Sequence, residues 1–112
     1  MFNSLLAVLA IVATLYGTPT QSVVTAYSCE PHTNNPMVCG TTRWGYDPMT
    51  SGAACPVVWK ERKIIVDGVV YVCDDTPRHD YIYGLPHIDL RLPTYEQAVN
   101  HGIQEKTIFL LP

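Results

Sequence analysis

Asp67-Gly68 is the pair of residues that most limits how this chain can fold. It stands between two β-branched runs, Lys63-Ile-Ile-Val66 and Val69-Val-Tyr-Val-Cys73. A two-residue hairpin turn of type I′ needs positive φ at both central positions, and Asp-Gly meets that need at little steric cost. The two runs are therefore expected to pair as an antiparallel hairpin. No long helical period competes with them. The remaining apolar segments are likewise short, and Gly, Pro and Asn separate them.

Taken in order, Val23-Val-Thr-Ala-Tyr27 reads as a strand. From Ser28 to Gly52 the chain is punctuated by Pro31, Asn34-Asn35-Pro36, Gly40, Gly45, Asp47-Pro48 and Gly52, which predicts a long irregular loop. Pro56-Val-Val-Trp59 reads as a further short strand, followed by an exposed charge run, Lys60 to Lys63. Beyond the hairpin lies a turn-rich stretch and then the strand Ile88-Asp-Leu-Arg-Leu92. Thr94 and Gln97 have the spacing of a capping box, and Gly102 suits the stop of a short helix. Thr107-Ile-Phe-Leu-Leu111 reads as a closing buried strand. About six short strands and one helix make an all-β protein with small α content, a small barrel rather than a βαβ fold.

Residues 1–22 are set apart as an N-terminal apolar signal segment or anchor. Leu5 to Tyr16 is apolar apart from Thr14. Such a run is short for a bilayer core, which takes about 20 residues, but it suits the apolar region of a signal peptide. Thr20-Gln-Ser22 offers small residues for cleavage. Residues 23–112 then form one domain, small enough to profit from covalent staples. In an exported chain the four cysteines, Cys29, Cys39, Cys55 and Cys73, imply two disulfides with three possible connectivities. Cys29–Cys39 across the irregular loop and Cys55–Cys73 between strands is the preferred pairing. No C-x-x-C spacing suggests a structural metal, and no cofactor is implied. A net charge of −3 and scattered Lys and Arg argue against a nucleic-acid partner. The expected location is secreted, periplasmic or cell-envelope.

The stretch Asp74 to Asp89 holds four of the six aspartates, Asp74, Asp75, Asp80 and Asp89. Asp75 ends one expected strand and Asp89 begins the next, the kind of position where chemistry sits on a β scaffold. Blander roles are open to each. Asp74 and Asp75 also suit Asx turns, Asp89 also suits bonds to backbone amides, and His79, Asp80, His87 and Asp89 could bind a divalent metal, although surface His and Asp in a loop are more often solvated than ligating.

Five segments in order resemble one family. They are Val24-Thr-Ala-Tyr27, Met49-Thr-Ser-Gly52, Lys63-Ile-Ile-Val-Asp-Gly68, Val72-Cys-Asp-Asp-Thr76 and Ile88-Asp-Leu-Arg-Leu-Pro-Thr-Tyr-Glu-Gln-Ala-Val-Asn-His-Gly102. Together they resemble the three-aspartate domain. That is the double-psi β-barrel module of the membrane-bound lytic transglycosylase A family, related to rare lipoprotein A-like proteins and found in bacterial and phage cell-wall proteins. The resemblance implies a six-stranded double-psi β-barrel. It places two of the family's aspartates at Asp75 and Asp89. At the first aspartate, in Ala53-Ala-Cys55-Pro56, this chain has Cys55 instead. The family's glycine-rich loop between the other two acids is replaced by Pro77 to Pro86.

The resemblance further implies cleavage of peptidoglycan glycan strands to a 1,6-anhydro product. Asp89 would be the acid and base, with Asp75 assisting through its like charge, which raises a neighbour's pKa. Tyr27, Trp44, Tyr46, Lys63 and Arg91 are the candidate substrate-binding residues. Trp44 and Tyr46 suit stacking on a sugar ring and equally suit apolar cover at the barrel end. Arg91 and Lys63 suit orientation of substrate or simple strand-edge solvation. Two other roles fit the same chain: a non-catalytic glycan-binding barrel of the expansin type, and a structural component of a phage particle or cell envelope.

Overall fold

The computed structural model describes residues 17–31 and 39–112. The apolar segment read as a signal peptide or anchor therefore lies, up to Tyr16, outside the described residues. Among the described residues seven strands and one α-helix are present: β1 (Thr18–Tyr27), β2 (Gly52–Ala54), β3 (Lys63–Val66), β4 (Val69–Asp75), β5 (Tyr81–Ile82), β6 (Leu85–Arg91), α1 (Tyr95–His101) and β7 (Gln104–Leu110). Strand order is β1-β7-β3-β4-β2-β6, and β1 also pairs with β6, so six strands close into a barrel with β5 appended. Closure leaves no free edge on the six barrel strands.

Two of the pairings are parallel, β1 with β6 and β2 with β4; the others are antiparallel. This is the six-stranded double-psi barrel, with one short helix, that the sequence led us to expect. Parallel neighbours need crossover connections. The irregular segment after β1, the 55–62 segment and α1 all serve as links between barrel strands.

The Asp67-Gly68 hairpin forms as expected, with Val66 opposite Val69 and φ of 50° and 79° at the turn. A second turn of the same sign pattern, Tyr83-Gly84, joins β5 to β6 with φ of 51° and 77°. It lies inside the 77–86 stretch that reads as a plain loop, because Pro77 and Pro86 mask a strand only two residues long. Pro56 to Trp59 is not a strand. Val57–Trp59 is a single 3-10 turn, since Pro56 donates no N–H and the segment has no neighbour to pair with. The capping box at Thr94 is complete, with Gln97 N–H donating to Thr94 Oγ1 at 3.1 Å and Thr94 N–H donating to Gln97 Oε1 at 3.2 Å.

Inside the barrel Val24, Ala53, Cys55, Ile64, Val66, Cys73, Ile88, Leu90, Ile108 and Leu110 form one core. Ile64, Ile88 and Ile108 are fully buried, each contributing roughly 1.5–3 kcal/mol over exposure. Cys55–Cys73 staples this core with Cα atoms 5.5 Å apart, and Cys29–Cys39 ties the irregular loop at 5.3 Å. Both expected pairings are present. Two disulfides suit an oxidising compartment such as the periplasm or the cell exterior.

The barrel begins earlier than Val23. Thr18 to Ser22 already pair with β7, from Thr18 opposite Leu110 to Ser22 opposite Lys106. Ser22 is buried, and a Cβ on Gly17 would overlap the Leu110 backbone. The boundary at residue 22 therefore falls within β1, and cleavage between Thr20 and Ser22 would remove paired strand. Thr18-Pro-Thr-Gln lacks the apolar alternation of a strand, so this first half of β1 is not evident from sequence. Among the described residues no helix is long and apolar enough to cross a membrane.

Candidate active site on the outer face of the β1 and β6 pair

Strand alternation puts Val24, Ile88 and Leu90 inside, so their neighbours Thr25, His87, Asp89 and Arg91 face outward. The parallel register then sets Thr25 beside Asp89 and Tyr27 beside Arg91. A polar stripe results along one wall of the barrel, in the order His87, Thr25 with Asp89, and Tyr27 with Arg91. Across it, β2 presents only Gly52 opposite Arg91 and Ala54 opposite Asp89. Small residues there leave the larger side chains room.

At one end of the stripe Arg91 is closed off from solvent. Its Nη2 and Nη1 donate to the two carboxylate oxygens of Asp74 at 2.6 and 3.1 Å, and both residues are buried. Nε donates to the Thr50 carbonyl at 2.7 Å and Nη1 to Tyr27 Oη at 3.1 Å. Burial acts to lower the Arg91 pKa, but the hydrogen bonds to Asp74 and Tyr27 outweigh it and hold the guanidinium above its ordinary value. A Cβ at Gly52 would overlap both Arg91 and Asp74, so this glycine is needed for close approach. Arg91 is thus a structural cation beneath the site. Tyr27, its partner, has a pKa raised first by its own burial.

Asp89 is half-buried at the middle of the stripe. Its pKa is raised above 3.8, and the cause is desolvation; the Thr25 hydrogen bond and the nearby His87 and His101 act the other way. The Thr25 hydroxyl lies 2.9 Å from Asp89 Oδ1 and 2.8 Å from His87 Nε2. His87 Nδ1 lies 3.0 Å from the His79 carbonyl. A protonated carboxyl held in this way can act as a general acid, and its conjugate base can take a proton back.

Asp75 has a different setting. It lies opposite Ala54 on β4, while Asp89 lies opposite Ala54 on β6. Two strand spacings separate their backbones, about 10 Å, and the outside of a barrel splays their side chains apart. The rise in the Asp89 pKa therefore comes from its own burial and not from the like charge of Asp75. Asp75 Oδ1 accepts from the Arg43 and Thr76 backbone amides at 3.0 and 2.9 Å, which anchors the irregular loop to β4.

Trp44 is drawn to β4 by its backbone N–H, which donates to the Asp74 carbonyl at 3.3 Å. Arg43 and Lys60 stand over its ring, 4.8 and 4.6 Å from the centroid. These cation–π contacts occupy a ring that the sequence suggested for sugar stacking. Tyr46 closes the turn begun at Thr42, its N–H donating to Thr42 Oγ1 at 2.9 Å, and remains exposed. Lys63 is not part of the constellation. It lies on β3, with two strands between it and β6 in either direction around the barrel. A cavity of about 290 Å³ adjoins Arg91, walled by Glu30, Met49, Thr50, Tyr71 and Leu92.

Among the described residues no group of three or more His, Cys, Asp and Glu is placed to hold a metal ion. His87 has both ring nitrogens engaged, and the Asp80 carboxylate accepts from Val57 N–H at 3.1 Å. Sequence reasoning did not find the roles of Thr25, His87, Asp74 and Gly52. The alternation His87-Ile-Asp89-Leu-Arg91 carried a signal for His87 alone, because it places three polar side chains on one face. No family model and no curated protein matches this chain.

Proposed function

We propose that this domain is an exported, cell-wall-active protein that cleaves the glycan strands of peptidoglycan, with Asp89 as its acid and base. The observation that carries the reading is Asp89 itself. It is a carboxyl on the outer wall of a double-psi barrel, pushed by burial toward its protonated form and bonded to Thr25. The resemblance of the Ile88 to Gly102 segment to the three-aspartate domain supplies the substrate class.

In this reading protonated Asp89 donates to the glycosidic oxygen as the bond from the anomeric carbon breaks. The carboxylate then takes the proton of the same sugar's 6-hydroxyl, whose oxygen bonds to the anomeric carbon. The product is a 1,6-anhydro sugar, Asp89 is reprotonated, and no water is consumed. One acid suffices, which accommodates both Cys55 in the place of an aspartate and the anchoring role of Asp75. The cavity beside Arg91 is a candidate seat for a neighbouring sugar.

Cys55 and the anchored Asp75 also favour a second reading, a glycan-binding barrel without turnover. Incubation of the purified domain with murein sacculi separates the two. Soluble muropeptides released by the wild type and not by Asp89→Asn support the enzyme. Retention of both proteins on sacculi with no release between pH 4 and pH 8 selects the binding barrel.

A further inference from the structure

Hydrogen-bond accounting around Thr25 leads beyond a lone acid. The His79 carbonyl can only accept, so His87 Nδ1, 3.0 Å away, carries a proton. When the ring is neutral, Nε2 is then a bare acceptor. The Thr25 hydroxyl has one proton and two contacts, Nε2 at 2.8 Å and Asp89 Oδ1 at 2.9 Å. Two arrangements satisfy both contacts with a single additional proton. In one, Asp89 is protonated and donates to Thr25, which donates to neutral His87. In the other, protonated His87 donates to Thr25, which donates to the Asp89 carboxylate. Neutral His87 beside ionised Asp89 leaves one of the short contacts with no proton in it.

We infer that Thr25 is a two-way proton relay through which His87 and Asp89 share one proton, making His87 a positioning residue that keeps that proton within reach of the acid. The step is balanced. As the Asp89 proton moves to Thr25 Oγ1, the Thr25 proton moves to His87 Nε2, and the net charge of the trio is unchanged. Burial of Asp89 favours the neutral pair, which is the state able to donate. The groups facing the trio are Tyr27 from β1 and His101 from α1. His101 Nδ1 lies 2.9 Å from the Gly102 carbonyl and its buried Nε2 is unpartnered among the described atoms. Across the sheet β2 offers only Ala54, with Asp75 beyond it. Arg91 is held by Asp74, and Asp80 faces Val57 with its carboxylate and His87 N–H with its carbonyl.

The inference rests on the acid role proposed for Asp89, yet its test needs no substrate. Nitrogen NMR of the ¹⁵N-histidine-labelled domain reads the tautomer and titration of His87 directly. The expected result is a neutral ring protonated at Nδ1, opposite to the form preferred by free imidazole. Its nitrogen shifts should also respond as Asp89 titrates. Thr25→Val, which keeps the branched shape, should abolish that response, and Thr25→Ser should retain it. A neutral His87 protonated at Nε2, or a response unchanged in Thr25→Val, overturns the relay. On sacculi, His87→Gln should narrow the pH range of release from its alkaline side. Release that needs Asp89 but keeps its pH profile in His87→Gln rejects the relay and spares the enzyme. The NMR coupling without any release rejects the enzyme and spares the relay.

Discussion

The Arg91 guanidinium forks onto the Asp74 carboxylate in a two-pronged contact, 2.6 and 3.1 Å, with both residues buried. Forked pairing of this kind is geometrically specific. Removing one partner leaves an uncompensated buried charge, at a cost of about 3–5 kcal/mol. Arg91→Met and Asp74→Asn are each expected to lose about that much in urea unfolding. The double variant Asp74→Leu with Arg91→Met should lose clearly less than the sum. Gly52→Ala, which forces a methyl against the same pair, should also destabilise the domain.

Asp89 carries the opposite sign. Its folded-state pKa is raised by burial, so the stability it contributes is fully present below its unfolded value and is lost as pH rises through the folded value. Asp89→Asn removes that loss. The variant should therefore be more thermostable than the wild type at pH 7, with the difference shrinking toward zero below about pH 4. Melting curves across this range check the sign independently of any activity.

The Cys55–Cys73 disulfide spans 18 residues and joins β4 to the segment after β2. A loop of that size corresponds to about 3 kcal/mol of chain-entropy stabilisation. Replacing both cysteines by alanine should cost at least this amount, because the pair is also buried in the core. The unreduced, denatured protein should show no reactive thiol.

Deletion from the N-terminus tests where the barrel starts. A chain beginning at Gly17 should fold with full stability. One beginning at Val23 loses the pairing of Thr18 to Ser22 with β7 and should unfold at lower urea. Equal midpoints for the two chains would show that the first half of β1 contributes nothing.

Local chemistry made much of this fold legible. Asp67-Gly68 announced its hairpin because only a few dipeptides tolerate two positive φ angles. Thr94 and Gln97 announced α1 through a reciprocal cap. The turn at Tyr83-Gly84 was obscured because its strands are barely two residues long, and Pro86 sits in one of them. The site was legible only in part. Asp89 stood out as an acid on a strand, but Thr25, which links it to His87, comes from β1 through a parallel register that no local pattern encodes. Asp75 looked equivalent to Asp89 in sequence. The structure separates them by a strand carrying Ala54 and gives Asp75 to the Arg43 and Thr76 amides. Arg91 looked like an exposed strand-edge cation, because nothing near it in the chain reveals that Asp74 and Tyr27 enclose it.

The central claim is that Asp89 passes its proton to a glycan and takes one back without water. Digestion of sacculi in heavy-oxygen water, followed by mass spectrometry of the released muropeptides, tests it most directly. The account predicts 1,6-anhydro ends with no heavy oxygen, formed by the wild type and absent with Asp89→Asn. Reducing ends that carry heavy oxygen, or release that survives Asp89→Asn, would contradict it.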